Sequence, residues 1–500
     1  MIALALDNSH EALRNIVQHS YKNLIGGNWT TSGSEQTFGD YNPADRRELI
    51  ANFPVSSTAA VEQATAAAQA ALPQWMATPA PLRSAIILKA VSALRARAEE
   101  IASVLTWEEG KIRAEARTEV NRGLAAMEYL AAEGKRFFGQ TIPSEHPQMF
   151  VWTQRRPVGV VGIITPWNFP FAIPAWKLAT ALVAGNTVVL KPAELAPLCA
   201  QFLVEALHDA DLPPGTLNLV HGGPTVGEAI VRDRHVRAIS FTGSTEVGKL
   251  INRYASERMA KVQLEMGGKN ACIVLADADL TKAAREIVTS AFGSTGQRCT
   301  ATSRVIADRN IHEALVEKLL AASREVTPGD GFKEATVMGP LIDENALKKT
   351  EHYVELACQE GNKLLLGGKR ARDPELAHGY FFEATIIADV KPEDTLNREE
   401  VFGPVLAILA ADGLEEALRM ANVVDYGLSS ALYTKNIAAG LSYANQAASG
   451  LLHVNCPTVF SEVHLPFGGI KESGFGGREM GPAASDFYTE WQTMYVNYSS

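Results

Sequence analysis

The feature that most constrains the fold is a regular alternation of short apolar runs and helical segments between residues 158 and 265. Each apolar run has the length of a strand, and each intervening segment has the periodicity of a helix. The predicted strands and helices, in chain order, are Val158–Ile164, Ala172–Ala184, Val188–Leu190, Leu195–Ala210, Leu217–Val220, Pro224–Arg232, Ala238–Phe241, Glu246–Tyr254 and Val262–Glu265. This order predicts a parallel sheet with helices on both faces, an architecture typical of nucleotide binding.

The flanking regions are also predicted to be α/β. Before residue 150, the patterns indicate a hairpin at Leu24–Trp29, a helix over Thr58–Leu72 that stops at Pro73, and helices over 81–105 and 112–138. After residue 268 a second α/β unit follows, with predicted strands and helices at Ala271–Leu275, Ala283–Phe292, Ser303–Ala307, Ile311–Arg324 and Asn345–Glu360. The chain is long enough for more than one domain.

Charge and composition exclude several classes of partner. The 500 residues include 46 basic and 56 acidic side chains, and the net charge of −10 argues against a nucleic acid or an anionic membrane. The N-terminus lacks the basic start of a signal peptide, so we expect a cytoplasmic protein. Between Arg156 and Lys177 the chain has no charged residue, but four prolines argue against a membrane-spanning helix there. The five cysteines contain no CxxC pair, so we predict neither a disulfide framework nor a metal site.

One cysteine has an unusual local setting. The segment FGSTGQRCTATSR, residues 292–304, places Cys299 after a glycine-rich turn and beside Arg298. A neighbouring cation predicts a lowered thiol pKa, and the thiolate is the nucleophilic form of cysteine. Taken alone, the segment is explained better by a buried and inert cysteine.

Further polar groups follow the predicted strands, at the edge where parallel sheets bind ligands. Asn168 lies in TPWNFP after the first strand, and Glu194 lies in LKPAE after the second. A carboxylate at the latter position suits either a ribose diol or a helix N-terminus. Gly243 and Ser244 open a helix and suit a pyrophosphate. Glu265 precedes two glycines and is either a general base with room to move or a solvated side chain at a turn.

Together these segments resemble the aldehyde dehydrogenase superfamily over nearly the whole chain. Further motifs that carry the resemblance are EEVFGP at 399–404, PFGGIKESG at 466–474 and GREMG at 477–481. The resemblance implies an α/β fold with a Rossmann-like parallel-sheet cofactor domain, a second α/β catalytic domain and a small β oligomerisation arm. It also implies oxidation of an aldehyde to a carboxylate with NAD or NADP.

The resemblance implies domain boundaries as well. The NAD(P)-binding domain would comprise residues 1–136 and 157–267, the catalytic domain 268–475, and the arm 137–156 and 482–500. Two segments that we predict to be extended, Gln140–Arg156 and Phe487–Tyr498, fall in the arm. In the family, such strands form a small sheet that reaches the neighbouring subunit, so we expect a homodimer or a homotetramer.

Catalytic roles are implied for five residues. Cys299 would attack the aldehyde, and the Asn168 side chain with the Cys299 backbone N–H would bind the oxyanion. Glu265 would activate the water that hydrolyses the thioester, and Lys177 with Glu479 would relay the proton outward. Because coenzyme-A-acylating relatives lack a base at this position, Glu265 predicts hydrolysis.

The implied cofactor is NAD, with NADP as an alternative. The carboxylate of Glu194 would repel a 2′-phosphate, whereas Lys191 would tolerate one. The residues that would contact the cofactor are Ile164, Thr165, Trp167, Lys191, Glu194, Gly243, Ser244, Gly248, Gly267, Glu400 and Phe402.

The substrate is implied less directly. The residues that would line the substrate tunnel are Phe169, Ile173, Trp176, Phe292, Arg298 and Phe460. The run PTVFSEVHLP at 457–466 and FYTE at 487–490 most resemble 2-oxoglutarate-semialdehyde dehydrogenases, for which Arg298 or Lys471 would supply a cation for the substrate carboxylate. An aromatic or other short-chain aldehyde dehydrogenase is the first alternative, and a non-catalytic structural or binding member of the superfamily is the second.

Overall fold

The computed structural model describes residues 13–31 and 36–499, and its first large sheet has eight strands. Five parallel strands form the centre, in the spatial order Leu217–Leu219, Thr187–Lys191, Val160–Ile164, Val236–Thr242 and Lys261–Glu265. The hairpin Asn23–Ile25 and Asn28–Thr30 pairs antiparallel with one edge, and Gly474–Phe475 with the other. The five predicted central strands and the predicted hairpin are confirmed.

The order of the central strands creates a crevice. Val160–Ile164 comes first in the chain, the next two strands lie on one side of it, and the last two lie on the other. The connection therefore changes direction between Val160–Ile164 and Val236–Thr242. Open α/β sheets bind ligands outside the carboxyl ends of the strands at such a point.

Helices pack on this sheet because their apolar faces would otherwise be exposed. They span Thr58–Ala77, Ala80–Ala96, Ala98–Glu109, Arg113–Ala132, Ala172–Val183, Leu198–His208, Pro224–Arg232 and Thr245–Ser256. The prediction that the first helix stops at Pro73 is wrong, because the helix continues to Ala77 and buries Trp75. The Trp75 Nε1–H donates to the Leu182 carbonyl at 3.1 Å, so tertiary packing outweighs the hydrogen bond lost at proline.

The second large sheet has seven strands. Their spatial order is Lys363–Leu366, Thr385–Ala388, Val405–Ala411, Thr302–Asp308, Asn270–Val274, Ser429–Tyr433 and Leu451–Val454. All neighbours are parallel except the first pair. Helices cover both faces, at Leu280–Phe292, His312–Ser323, Glu344–Gln359, Thr395–Arg398, Gly413–Asn422 and Ile437–Gln446. The structure thus confirms an α/β fold with two sheets, although only two of these seven strands were predicted.

A third, smaller sheet joins distant parts of the chain. Met149–Pro157 pairs antiparallel with Thr489–Asn497 over their whole length and with Thr141–Ile142 on its other side. The last strand starts later than predicted, because Phe487 and Tyr488 end a short helix and are buried. This three-stranded sheet is called the arm below.

Two two-stranded sheets complete the fold: Thr37–Tyr41 with Leu49–Pro54, and Tyr426–Gly427 with Ile470–Lys471. Across residues 13–31 and 36–499, no helix combines the length and apolar character needed to span a bilayer. The uncharged stretch before Lys177 forms a strand, a loop and the start of a buried helix.

Candidate active site

Cys299 lies where two cavities meet. The larger cavity has a volume of about 380 Å³, and the smaller cleft has a volume of about 190 Å³. Both are lined by Ile173, Thr242, Met266 and Cys299. The smaller cleft occupies the crevice between the strands Val160–Ile164 and Val236–Thr242, because the residues that follow these strands form its walls.

The turn before Cys299 is held rigidly. Ser294, Thr295 and Gly296 have φ values of 48°, 59° and 69°, a left-handed conformation that is costly for the two residues with a Cβ. The Ser294 N–H donates to Glu115 Oε1 at 2.8 Å, and the Thr295 hydroxyl donates to the Gly339 carbonyl at 2.9 Å. These bonds offset the backbone strain and keep the cysteine at the junction of the cavities.

The thiol of Cys299 has a raised pKa, not a lowered one. Burial raises the pKa of Cys299 to about 12, and the negative charges of Glu400, Glu265 and Glu479 add to the shift. The predicted lowering by Arg298 fails because its guanidinium pairs with Glu115 at 2.9 Å. The thiol therefore needs a proton acceptor before it attacks.

Asn168 lies beside this thiol in the smaller cleft. Its side chain is buried, and Nδ2 donates one hydrogen to the Gln297 carbonyl at 2.9 Å. Gln297 is itself fixed, since its Oε1 accepts from the Ile342 N–H at 2.9 Å. One amide hydrogen of Asn168 remains for another acceptor, as an oxyanion donor requires.

Glu265 ends the strand Lys261–Glu265 and lines the larger cavity. Its Oε2 accepts from the Gly469 N–H at 3.2 Å, and a Cβ at Gly468 would collide with Oε1. Burial raises the pKa of Glu265 well above its usual range, and the charge of Glu479 adds to that shift. A carboxyl group with a raised pKa is a stronger base once ionised, which suits proton transfer near neutral pH.

Lys177 and Glu479 form a buried ion pair next to Glu265. Glu479 also accepts from the Trp176 indole N–H at 2.8 Å. Lys177 donates to the Ser240 hydroxyl at 2.7 Å, which in turn donates to Gln263 at 2.9 Å. The predicted pair is therefore part of a continuous chain of polar groups that extends from Glu479 at the larger cavity through Lys177 and Ser240 to Gln263.

The smaller cleft collects six of the predicted cofactor residues: Trp167, Gly243, Ser244, Gly267, Glu400 and Phe402. Ser244 caps the helix Thr245–Ser256 and accepts from the Val247 N–H at 3.3 Å, so a helix N-terminus faces the cleft. Glu400 accepts from the Gly268 N–H at 2.8 Å, and a Cβ at Gly267 would collide with its carboxylate. Gly248 has a comparable role, because a Cβ there would collide with Met266.

The remaining predicted cofactor residues lie at the ends of two neighbouring strands. A Cβ on Gly223 would lie 2.7 Å from Glu194 Oε1, and a Cβ on Gly227 would lie 3.7 Å from the Lys191 stem and 3.8 Å from Ile164. Burial lowers the pKa of Lys191 to about 8.

The Oγ1 atom of Thr165 is buried and has no hydrogen-bond partner among the residues that the structure describes. The Thr165 N–H donates to the Lys191 carbonyl at 3.1 Å, so Thr165 lies beside the end of the neighbouring strand. A cleft at the strand ends that a helix N-terminus faces fits a dinucleotide.

The larger cavity contains four of the six predicted substrate residues: Phe169, Ile173, Trp176 and Arg298. Phe292 does not line it, because its ring is buried in the core between its helix and the second sheet. Phe460 is 52% exposed on its loop, and its neighbours Val459 and Ser461 line the cavity instead. Lys471 lies elsewhere and donates to the Asn422 carbonyl at 2.7 Å.

The sequence analysis missed a set of cavity residues on and just before the helix Arg113–Ala132, namely Lys111, Glu115, Thr118, Glu119 and Arg122. The last four occupy positions i, i+3, i+4 and i+7 of the helix and so share one helix face. A polar stripe of this kind usually faces solvent, and only the packing of other segments over it encloses it here.

Comparisons with known proteins show the family of the chain. The model of the aldehyde dehydrogenase family matches residues 29–494. The chain is 44% identical to alpha-ketoglutaric semialdehyde dehydrogenase of Bacillus subtilis over 96% of its own length and 98% of that protein. It is 42% identical to 2,5-dioxopentanoate dehydrogenase of Saccharolobus solfataricus, over 93% and 97%.

A solved structure is similarly close in fold. Betaine aldehyde dehydrogenase of Staphylococcus aureus, in complex with NAD⁺, superimposes with a TM-score of 0.95 at 30% identity, with 98% of each chain covered. The chain therefore belongs to the aldehyde dehydrogenase family and is an NAD(P)-dependent aldehyde dehydrogenase.

Proposed function

We propose that the enzyme oxidises 2-oxoglutarate semialdehyde to 2-oxoglutarate with NAD and releases the product by hydrolysis. The observation that carries the chemistry is the position of Cys299 at the junction of two cavities, with Asn168 and Glu265 beside it. The substrate is suggested by the names of two relatives that share more than 40% identity with almost the whole chain.

Cys299 is the nucleophile in this proposal. Because its thiol has a raised pKa, attack on the carbonyl carbon requires proton loss to a base, and Glu265, which lines the same cavity, is the candidate. The carbonyl oxygen then gains negative charge, and the free hydrogen of the Asn168 amide and the Cys299 backbone N–H stabilise it.

The cofactor residues divide along the crevice. Lys191 and Glu194 bind the adenosine ribose, the N-terminus at Ser244 faces the diphosphate, and Glu400 and Phe402 hold the nicotinamide riboside. NAD, when bound, supplies the hydride acceptor. Trp167 and Phe402 make an edge-to-face contact with centroids 5.6 Å apart, which fixes both rings at the wall of the cleft.

The acyl group left on Cys299 is a thioester, which Glu265 hydrolyses by taking a proton from water. Its raised pKa makes the carboxylate basic enough for this step, and the adjacent glycines leave room for it to move. After each of these two proton transfers, first from the thiol and later from water, Glu265 passes the proton to the carboxylate of Glu479 in the Lys177–Glu479 pair, which carries it away from the cavity.

Several features suggest how the enzyme is organised. The arm exposes Phe150, Trp491 and Tyr495, at 49%, 56% and 69%, and such apolar exposure favours an interface between subunits. We therefore propose that the enzyme is a homodimer or a homotetramer. We also propose that it has the domain boundaries given above and that it works in the cytoplasm.

The test is a panel of aldehydes with purified enzyme, read as NADH or NADPH formation. We expect the highest kcat/KM for 2-oxoglutarate semialdehyde with NAD, above both pentanal and benzaldehyde. A preference for benzaldehyde would establish the aromatic alternative. Absence of turnover with every aldehyde, while NAD still binds, would establish the non-catalytic alternative.

A further inference from the structure

The proposed substrate, on which this inference rests, has a carboxylate at the end opposite to its aldehyde. A carboxylate that enters a cavity loses water and needs a cation or several hydrogen-bond donors in exchange. Three cationic side chains line the larger cavity, and they are Lys111, Arg122 and Arg298. Their partners decide which of them is available to a ligand.

Two of the three are already neutralised. Lys111 Nζ lies 2.5 Å from Glu119 Oε2 and 3.7 Å from Glu109 Oε2, and both partners are fully buried. Arg298 Nη2 lies 2.9 Å from Glu115 Oε1. Binding a substrate carboxylate to either cation would break or crowd an existing ion pair, which is unfavourable because the displaced carboxylate would be left without its partner.

Arg122 differs from both. Its Nη1 donates to the Ser461 carbonyl at 2.9 Å, and its Nη2 donates to the Ser461 hydroxyl at 2.7 Å. Both acceptors are neutral, and within residues 13–31 and 36–499 no carboxylate forms an ion pair with Arg122. A guanidinium has five N–H donors, so two bonds to Ser461 leave three for another acceptor.

Charge also sorts the two ends of the cavity. The carboxylates of Glu400, Glu265 and Glu479 disfavour negative charge at Cys299, so they repel a substrate carboxylate from that end. Arg122 is within electrostatic reach of Cys299, Arg298 and Glu119: negative charge on Cys299 or Glu119 opposes the lowering of the Arg122 pKa by burial, and the charge of Arg298 adds to it. An ω-oxo acid is therefore oriented with its aldehyde towards Cys299.

We propose that Arg122, positioned by Ser461, binds the distal carboxylate of the substrate and selects ω-oxo acids over neutral aldehydes. This assignment replaces Arg298 and Lys471 as the cation for the substrate. Phe169, Ile173 and Trp176 also line this cavity, and their apolar surface suits the methylene carbons.

The experiment compares 2-oxoglutarate semialdehyde with pentanal, which has the same chain length and no carboxylate. We expect Arg122→Met to lower the ratio of their kcat/KM values about 30- to 300-fold, mainly through KM for the charged substrate. Arg122→Lys should lower this ratio less, because lysine keeps the positive charge but lacks the planar guanidinium that can donate two parallel hydrogen bonds to a carboxylate. Arg298→Met is the matched control, because it removes a paired cation from the same cavity. It should lower kcat/KM for both substrates by the same factor and leave the ratio of the two values unchanged.

If Arg122 had a purely structural role, Arg122→Met would lower kcat/KM for both substrates equally. An unchanged ratio of the two kcat/KM values in this variant would overturn the assignment. Pentanoate, which has a single carboxylate, gives a second measurement that needs no turnover. It should protect Cys299 of the wild type, but not of Arg122→Met or Arg122→Lys to the same degree, against iodoacetamide. If the wild type shows no preference for the charged aldehyde, the proposed substrate fails. Pentanoate protection then decides the carboxylate site separately, because loss of protection in the variants supports it, and equal protection in all forms or none in the wild type refutes it.

Discussion

The two cavities that meet at Cys299 are built in different ways. The smaller cleft is shaped mainly by backbone: strand ends, a helix N-terminus and glycines at Gly243 and Gly267, where a Cβ would meet a neighbour. The larger cavity is shaped by side chains from distant segments, and most of its charged groups are paired with each other. The first arrangement holds a ligand by shape, and the second selects a ligand by charge.

This difference separates binding of the cofactor from selection of the aldehyde. A backbone cradle accepts the same dinucleotide whatever the substrate is, since backbone N–H groups carry no information about the aldehyde. A cavity of paired charges with one cation held by neutral acceptors can be retuned by a single substitution. Substitutions in the smaller cleft should therefore change KM for the cofactor, and substitutions in the larger cavity should change which aldehyde is preferred. Substitutions at the junction, where the reaction takes place, should lower kcat.

The largest effect is expected at the junction itself. Cys299→Ala removes the nucleophile, so kcat should fall by at least about 10⁴-fold while NAD still binds. The measurement is steady-state NADH formation together with NAD binding by calorimetry. Cys358→Ala, which changes an exposed cysteine, is the control and should keep full activity. Substantial activity in Cys299→Ala would refute the nucleophile.

Glu265→Gln should separate acylation from hydrolysis. Steady-state turnover should fall about 10²- to 10³-fold because the thioester loses its base, whereas a first burst of NADH should remain but form more slowly, because the Cys299 thiol loses the same base. Stopped-flow measurements against active-site concentration check this. Wild-type turnover without a burst would exclude Glu265 as the hydrolytic base.

Much of this site was predictable because the relevant signals are local. Each central strand of the first sheet has its own apolar run, and several candidate site residues lie at the end of such a strand, as with Glu265, or in the turn after it, as with Asn168. The strands missed in the second sheet lack that signal: Ser429–Tyr433 reads SSALY, and Val405–Ala411 is rich in alanine and leucine, which also suit helices.

The failures at the site have a physical cause as well. Arg298 adjoins Cys299 in sequence, but its guanidinium forms an ion pair with Glu115, which lies in a helix far away along the chain. Burial, together with three carboxylates from other segments, raises the pKa of the thiol where the sequence predicted a lowering. Arg122 was missed because enclosure of a polar helix face depends on the loop that carries Ser461. Charge balance in a cavity is a tertiary property, and local patterns do not report it.

Gly267→Ala tests the backbone character of the smaller cleft. Its Cβ would collide with Glu400, so we expect KM for NAD to rise about 10- to 100-fold, with a smaller change in KM for the aldehyde. Gly440→Ala is the control, because a Cβ there meets nothing closer than 3.7 Å in a helix. Equal changes in both KM values would show that the cavities are not separable in this way.

Glu194→Ser tests the cofactor preference at the outer end of the crevice. Glu194 is exposed, so solvent screens its repulsion of a 2′-phosphate, and we expect the NAD/NADP ratio of kcat/KM to narrow by only about five- to tenfold. The change should come mainly from better use of NADP. A higher kcat/KM with NADP in the wild type, or no change in the variant's ratio, would contradict the role of Glu194.

The smallest effect concerns the pH dependence of Cys299, where both cavities act on one thiol. Its pKa is raised to about 12, so the thiolate fraction should increase about tenfold per pH unit between pH 7 and 10, with no plateau near pH 9 as an ordinary thiol would show. Glu400, on the side of the smaller cleft, contributes the largest charge effect after burial. Glu400→Gln removes that negative charge and should lower the thiol pKa, which raises the rate of alkylation by iodoacetamide at pH 8 about threefold. Glu399→Gln is the matched control, since Glu399 bonds to the Tyr353 hydroxyl instead, and its profile should follow the wild type. A slower reaction in Glu400→Gln, or a wild-type plateau below pH 9, would mean that carboxylates from the smaller cleft do not control the nucleophile.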